Sequence, residues 1–149
     1  MVGDLLKQKN LTVATAESCT GGLLASRLTD AAGSSAYVKG GVVAYTNEIK
    51  NFVLHVDAET LKNFGAVSSR TAREMATNVR KLFSASIGVS TTGVAGPDKS
   101  EGKSVGTVFI AVDGDNFSDV REFHFTGTRT EIKAKTVNEA LNFLTACLT

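Results

Sequence analysis

The apolar run Leu11 to Ala14 leads straight into Thr15-Ala16-Glu17-Ser18-Cys19-Thr20-Gly21-Gly22, and a helical pattern begins at Leu23. A strand that passes through a hydroxyl- and glycine-rich turn into a helix commits the chain to sheet and helix together. Such a turn gathers unpaired backbone N–H groups and the positive end of the helix dipole at one point. That point suits an anion or a developing oxyanion, with Ser18, Thr20 and Gly21 as the candidate contact residues.

The rest of the chain repeats the alternation. Leu5, Leu6 and the residues before Asn10 suit a short leading helix, and Leu11 to Thr15 a buried strand. The helix from Leu23 ends at Asp30, Gly33 and the paired serines. Gly40 to Tyr45 reads as the next strand, Asn47 as the cap of a short helix through Leu54, and Asp57 to Asn63 as another short helix. A stronger helix starts at Ser68 or Ser69, with Ala72, Met75, Ala76, Val79, Leu82 and Phe83 on one face. Arg70, Arg73, Thr77 and Arg80 form the opposing stripe, which reads as a solvated face. Ile87 to Thr91, Gly106 to Val112 and Val120 to Phe125 are three further strands, the last two joined by a hairpin-type turn at Asp113-Gly-Asp-Asn116. Thr128 and Glu131 fit a capping box at the start of a final helix, in which Val137, Ala140, Leu141, Leu144 and Leu148 recur at helical spacing. The pattern predicts a single α/β domain over residues 1–149, three-layer α/β/α, with a mostly parallel mixed sheet of about five strands, one of them antiparallel.

Charge and composition narrow the function. A net charge of +1 offers no footprint for nucleic acid or anionic lipid, so neither is an expected partner. No apolar run approaches the ~20 residues of a membrane span, and Met1 to Asn10 lacks the apolar core of a signal peptide, so a cytoplasmic protein is expected. Cys19 and Cys147 form no disulfide framework and have no partners at metal-ligand spacing; with only His55 and His124 besides, neither a metal nor another cofactor is expected.

Four segments place polar residues and glycines where strands should end, which is where ligands gather in sheets of this class. They are the Ser18 turn, Gly33-Ser34-Ser35-Ala36-Tyr37, Tyr45-Thr46-Asn47-Glu48-Ile49-Lys50, and Thr91-Thr92-Gly93-Val94-Ala95-Gly96-Pro97-Asp98. Taken singly, each is equally well a helix cap or an ordinary loop. Lys50, read as lying in the first turn of its helix, has a pKa that the dipole and apolar neighbours would lower, which makes a lysine a usable base. Tyr45 is placed to orient or share its proton. The run from Thr92 and Gly93 offers a backbone cradle without Walker A spacing, and Arg129 a planar fork for a carboxylate or phosphate. Cys19 is a rival nucleophile, since a thiol at a helix N-terminus is acidified.

Taken together, Ala16-Glu-Ser-Cys-Thr-Gly-Gly22, Ala32-Gly-Ser-Ser-Ala36, Tyr45-Thr-Asn-Glu-Ile-Lys50, Gly65-Ala-Val-Ser68, Thr92-Gly-Val-Ala-Gly-Pro97 and Val105-Gly-Thr-Val108 closely resemble the CinA C-terminal domain family, in its order and at its spacing. The resemblance covers the chain from about Leu11 onward. It implies an α/β/α domain with a mixed five-stranded sheet and, by analogy with members that are nicotinamide mononucleotide deamidases, hydrolysis of that nucleotide's carboxamide to nicotinate mononucleotide and ammonia. Longer relatives carry an additional N-terminal domain linked to pyrophosphatase activity; this chain resembles the stand-alone form. The family's functional residues fall on Ser18, Ser35, Tyr45, Lys50, Thr92 and Arg129. One departure is the loop Asp98 to Ser104, where Lys99, Ser100 and Ser104 replace a glycine pair and a proline.

The expected chemistry is serine attack on the amide carbon with neutral Lys50 as base. Either Ser35 or Ser18 attacks. Ser35 is preferred, because Ser18 at a helix N-terminus suits fixing the base or the oxyanion. The alternative function is a non-catalytic nucleotide-binding or assembly module, tied to the competence and DNA-damage contexts of the family's name. A homo-oligomer is expected, since a small domain with an open sheet often uses one face as an interface.

Overall fold

Side chains alternate in size across the central strands, and that alternation sets the architecture. The computed structural model describes all 149 residues, Met1–Thr149. It contains α1 (Val2–Gln8), β1 (Val13–Glu17), α2 (Leu23–Leu28), a 3-10 turn at Ser34–Ala36, β2 (Val38–Val43), α3 (Asn47–Phe52), α4 (Ala58–Phe64), α5 (Ser69–Phe83), β3 (Ile87–Gly93), β4 (Thr107–Asp113), β5 (Ser118–His124) and α6 (Arg129–Leu148). The sheet order is β2-β1-β3-β4-β5. β1 pairs in parallel with β2 and with β3, whereas β4 runs antiparallel to both β3 and β5, so it is the one reversed strand, as expected.

Large branched residues point to one face and small ones to the other. Val13, Ile87, Val89, Val108, Ile110 and Val112 pack with Ile132, Val137, Phe143 and Leu144 of α6. Ala14 and Ala16 pack with Met75 and Val79 of α5, and Ala111 with Ala72 and Ala76. The small residues draw α5 close to the sheet. Ser90 Oγ donates to Ala72 O at 2.6 Å, and a Cβ added to Gly88 would lie 2.0 Å from Ala76 O.

Several local expectations shift. Thr46, not Asn47, caps α3, its hydroxyl accepting from Ile49 N–H at 3.3 Å. Leu82, expected in the core, is exposed, because α5 ends one residue later in the left-handed Ser84. The basic stripe of α5 packs laterally: Arg80 pairs with Asp113 and Asp115, Arg73 donates to Ser118 and Arg70 lies over Phe64. The hairpin turn begins one residue later than expected, closed by Gly114 N–H donating to Phe117 O at 2.8 Å. The capping box at Thr128 and Glu131 is present. No helix is long and apolar enough to cross a membrane.

Candidate functional site

β1 and β3 run side by side, so their carboxyl ends deliver Ser18 and the Thr92–Gly96 loop to one edge of the sheet. Ser18 N–H donates to Thr91 O at 2.9 Å, which carries the β1–β3 ladder one step past the strand and fixes the serine. On the other side of β1, β2 feeds α3. There the Lys50 side chain turns inward and is only 2% exposed. Its Nζ lies 2.9 Å from Ser18 Oγ and 3.5 Å from Tyr45 O, within hydrogen-bond reach of both. Burial pulls the Lys50 pKa below the ordinary lysine value, with Cys19 and Glu101 acting more weakly the other way. The helix dipole is not the cause: Lys50 is the fourth residue of a six-residue helix and sits in its last turn.

The pair opens into a cavity of ≈ 340 Å³ lined by Ser18, Cys19, Tyr45, Lys50, Thr92, Gly93 and Arg129, with Asp98, Ser100 and Glu101 on the loop side. Thr92 Oγ1 donates to Ala66 O at 2.7 Å, which ties β3 to the turn before α5. Arg129 donates to Gly96 O and to the Tyr45 hydroxyl, so the strand-end tyrosine and the first residue of α6 meet across the opening. The N–H groups of Cys19, Ala95 and Gly96, all from lining residues, have no backbone acceptor, and that of Cys19 lies against its own thiol.

Three sequence expectations are corrected here. The anion at the N-terminus of α2 is the chain's own: buried Glu17 accepts from Thr20 Oγ1 at 2.5 Å, Leu24 N–H at 2.8 Å and Ala25 N–H at 3.0 Å. Thr20 also meets the Thr91 hydroxyl at 2.7 Å, so it serves the interior. Thr20 and Gly21 face a separate depression with Ser26, Thr130 and Lys133 and are not brought to the Ser18 cavity. Second, Ser35 is exposed in the turn that precedes β2, at the amino end of the sheet. The six residues of β2, at ~3.3 Å each, put roughly 20 Å of strand between it and the cavity. Third, Cys19 is buried and its pKa is pushed up to about 12 by desolvation, so it is a neutral thiol with none of the acidity a helix N-terminus would give. Sequence reasoning passed over Glu17 and Glu101. A lone acid inside a strand, or in a loop that departs from the family pattern, carries no periodic signal.

The CinA C-terminal domain model matches residues 1–148. A protein of Desulforamulus reducens named as competence-damage inducible is 52% identical over 141 residues, 95% of this chain and 34% of the relative. A CinA-like protein of Cytophaga hutchinsonii is 60% identical over 111 residues, 74% of this chain and 27% of the relative. The chain thus spans about a third of the length of the curated relatives it matches. Among solved structures, a CinA superfamily protein of Klebsiella pneumoniae superposes with TM-score 0.96 at 36% identity, covering 99% of this chain and 92% of that one. A competence/damage inducible protein of Agrobacterium tumefaciens does so at 0.90 and 42%, covering 97% and 94%. With the motif order, the five-stranded mixed sheet and the family match all in accord, the chain belongs to the CinA C-terminal domain family.

Proposed function

We propose that this chain is an amidohydrolase that converts nicotinamide mononucleotide to nicotinate mononucleotide and ammonia, with Ser18 as nucleophile and Lys50 as base. The observation that carries this reading is the buried Lys50 amine 2.9 Å from Ser18 Oγ at the floor of a polar cavity. A buried, neutral amine in hydrogen-bond contact with a hydroxyl is the arrangement that activates a serine when no histidine is at hand.

Ser18 Oγ bonds to the carboxamide carbon while its proton passes to Lys50 Nζ. The oxyanion that forms faces the Cys19 N–H, next in the chain to the nucleophile, on a wall that also carries the free N–H groups of Ala95 and Gly96. Lys50 returns the proton to the departing nitrogen, the C–N bond breaks and ammonia leaves. A water then repeats the sequence on the acyl-serine, with Lys50 again taking its proton. Arg129, held by Tyr45 and Gly96, keeps further donors of its fork for the substrate phosphate, while Thr92 and Gly93 shape the floor beneath the ring.

Ammonia release from nicotinamide mononucleotide without added metal tests the reading. Ser18→Ala and Lys50→Met should each lower kcat by about 10³-fold or more, whereas Ser35→Ala should turn over normally. Loss of activity in Ser35→Ala would instead mean that a second copy of the chain brings Ser35 to the cavity. The alternative reading is a non-catalytic nucleotide-binding or assembly module, which tight binding of the nucleotide without turnover would support.

A further inference from the structure

The proposed reaction requires Lys50 to become an ammonium inside the protein, and a desolvated cation needs a counter-charge. The groups around it can be sorted. From the turn after β1, Glu17 directs its carboxylate to the N–H groups of α2, and Cys19 is an uncharged thiol. From the β2–α3 side comes the Tyr45 phenol, bonded to Arg129. Arg129, at the start of α6, is itself a cation. That leaves the loop between β3 and β4, which carries Asp98, Glu101 and Lys103. Asp98 and Glu101 are both exposed and both line the cavity that Lys50 lines, but of the two only Glu101 has its carboxylate fixed by backbone N–H groups. Glu101 is held in place: its carboxylate accepts from Ala66 N–H at 2.8 Å and Val67 N–H at 3.0 Å, and Lys103 Nζ lies 3.7 Å from it. Glu101 reaches this position through a left-handed backbone, φ 54°, which costs a non-glycine residue about 1 kcal/mol or more.

We propose that Glu101 is a positioning residue for the Ser18–Lys50 pair, its fixed carboxylate stabilising the ammonium that Lys50 forms when it takes the serine proton. This rests on the amidohydrolase reading for its catalytic consequence, though not for the electrostatic pairing itself. The direction of its influence on Lys50, upward against the downward pull of burial, agrees.

The test is the titration of Lys50 followed by NMR of labelled lysine side chains, its resonance identified by absence from Lys50→Met. In Glu101→Gln the midpoint should fall by about one pH unit, a tenfold loss of proton affinity. The acid limb of kcat/KM should move the same way, kcat should drop about tenfold and KM should stay within about twofold. Lys103→Met removes the cation that partly neutralises Glu101, so there the midpoint should rise; this variant serves if Glu101→Gln does not fold. An unmoved midpoint in the folded variant overturns the proposal, even if activity is lost, because lost activity alone means only that the carboxylate shapes the loop. A midpoint that moves in a protein releasing no ammonia sinks the amidohydrolase reading and supports the pairing.

Discussion

A lysine amine with 2% exposure resists protonation because no water remains to solvate the charge. The same burial suits Lys50 to the proposed role of base and makes it a burden on stability. Its pKa is lower folded than unfolded, so between the two values the unfolded chain holds a proton that the folded one does not. Stability therefore rises with pH through that window and is lost as pH falls from the ordinary lysine value toward the folded one. Replacing Lys50 by Met keeps the volume and removes the ionisable group. That variant should be more stable at pH 7 by about 1–2 kcal/mol while inactive. Thermal denaturation from pH 6 to 10 reads both expectations: a higher Tm at neutral pH, and a flatter dependence than the wild-type chain.

At the scale of elements, α5 and β3 meet at close backbone range. Gly88 is required there because a Cβ would meet the Ala76 carbonyl oxygen at 2.0 Å, and backbone has little room to give. Gly88→Ala should destabilise by about 2–3 kcal/mol, lowering Tm by roughly 5–10 °C, as overpacking does in a rigid core. Scanning calorimetry checks it. Element types were legible in the sequence because apolar spacing and capping residues are local signals; α6 shows both in its capping box and its core-facing Val137, Ala140 and Leu144. Positions within short elements were not. Lys50 reads as first-turn until α3 is seen to be only six residues long. Leu82 fits the apolar stripe of α5, yet the helix ends beside it and the sheet no longer covers it.

At the scale of the whole molecule, the chain passes from β1 to β2 on one side and then crosses back to β3 on the other. The carboxyl ends at that reversal are where open α/β sheets place their ligands, and Ser18, Lys50 and Thr92 sit there. Chain order puts Ser35 ahead of β2 but does not say which way β2 runs beside β1; because the two are parallel, Ser35 lies at the opposite end of the sheet from Ser18. The Ser18 turn is likewise held from within. Because Glu17 already occupies the amino end of α2, nothing has to arrive from solvent to shape the turn, and the proposed nucleotide substrate bears no ordering entropy there. The amides of Leu24 and Ala25 should accordingly exchange with deuterium slowly in the free protein and at the same rate when nucleotide is bound. In Glu17→Gln they should exchange faster, with nucleotide restoring part of the protection.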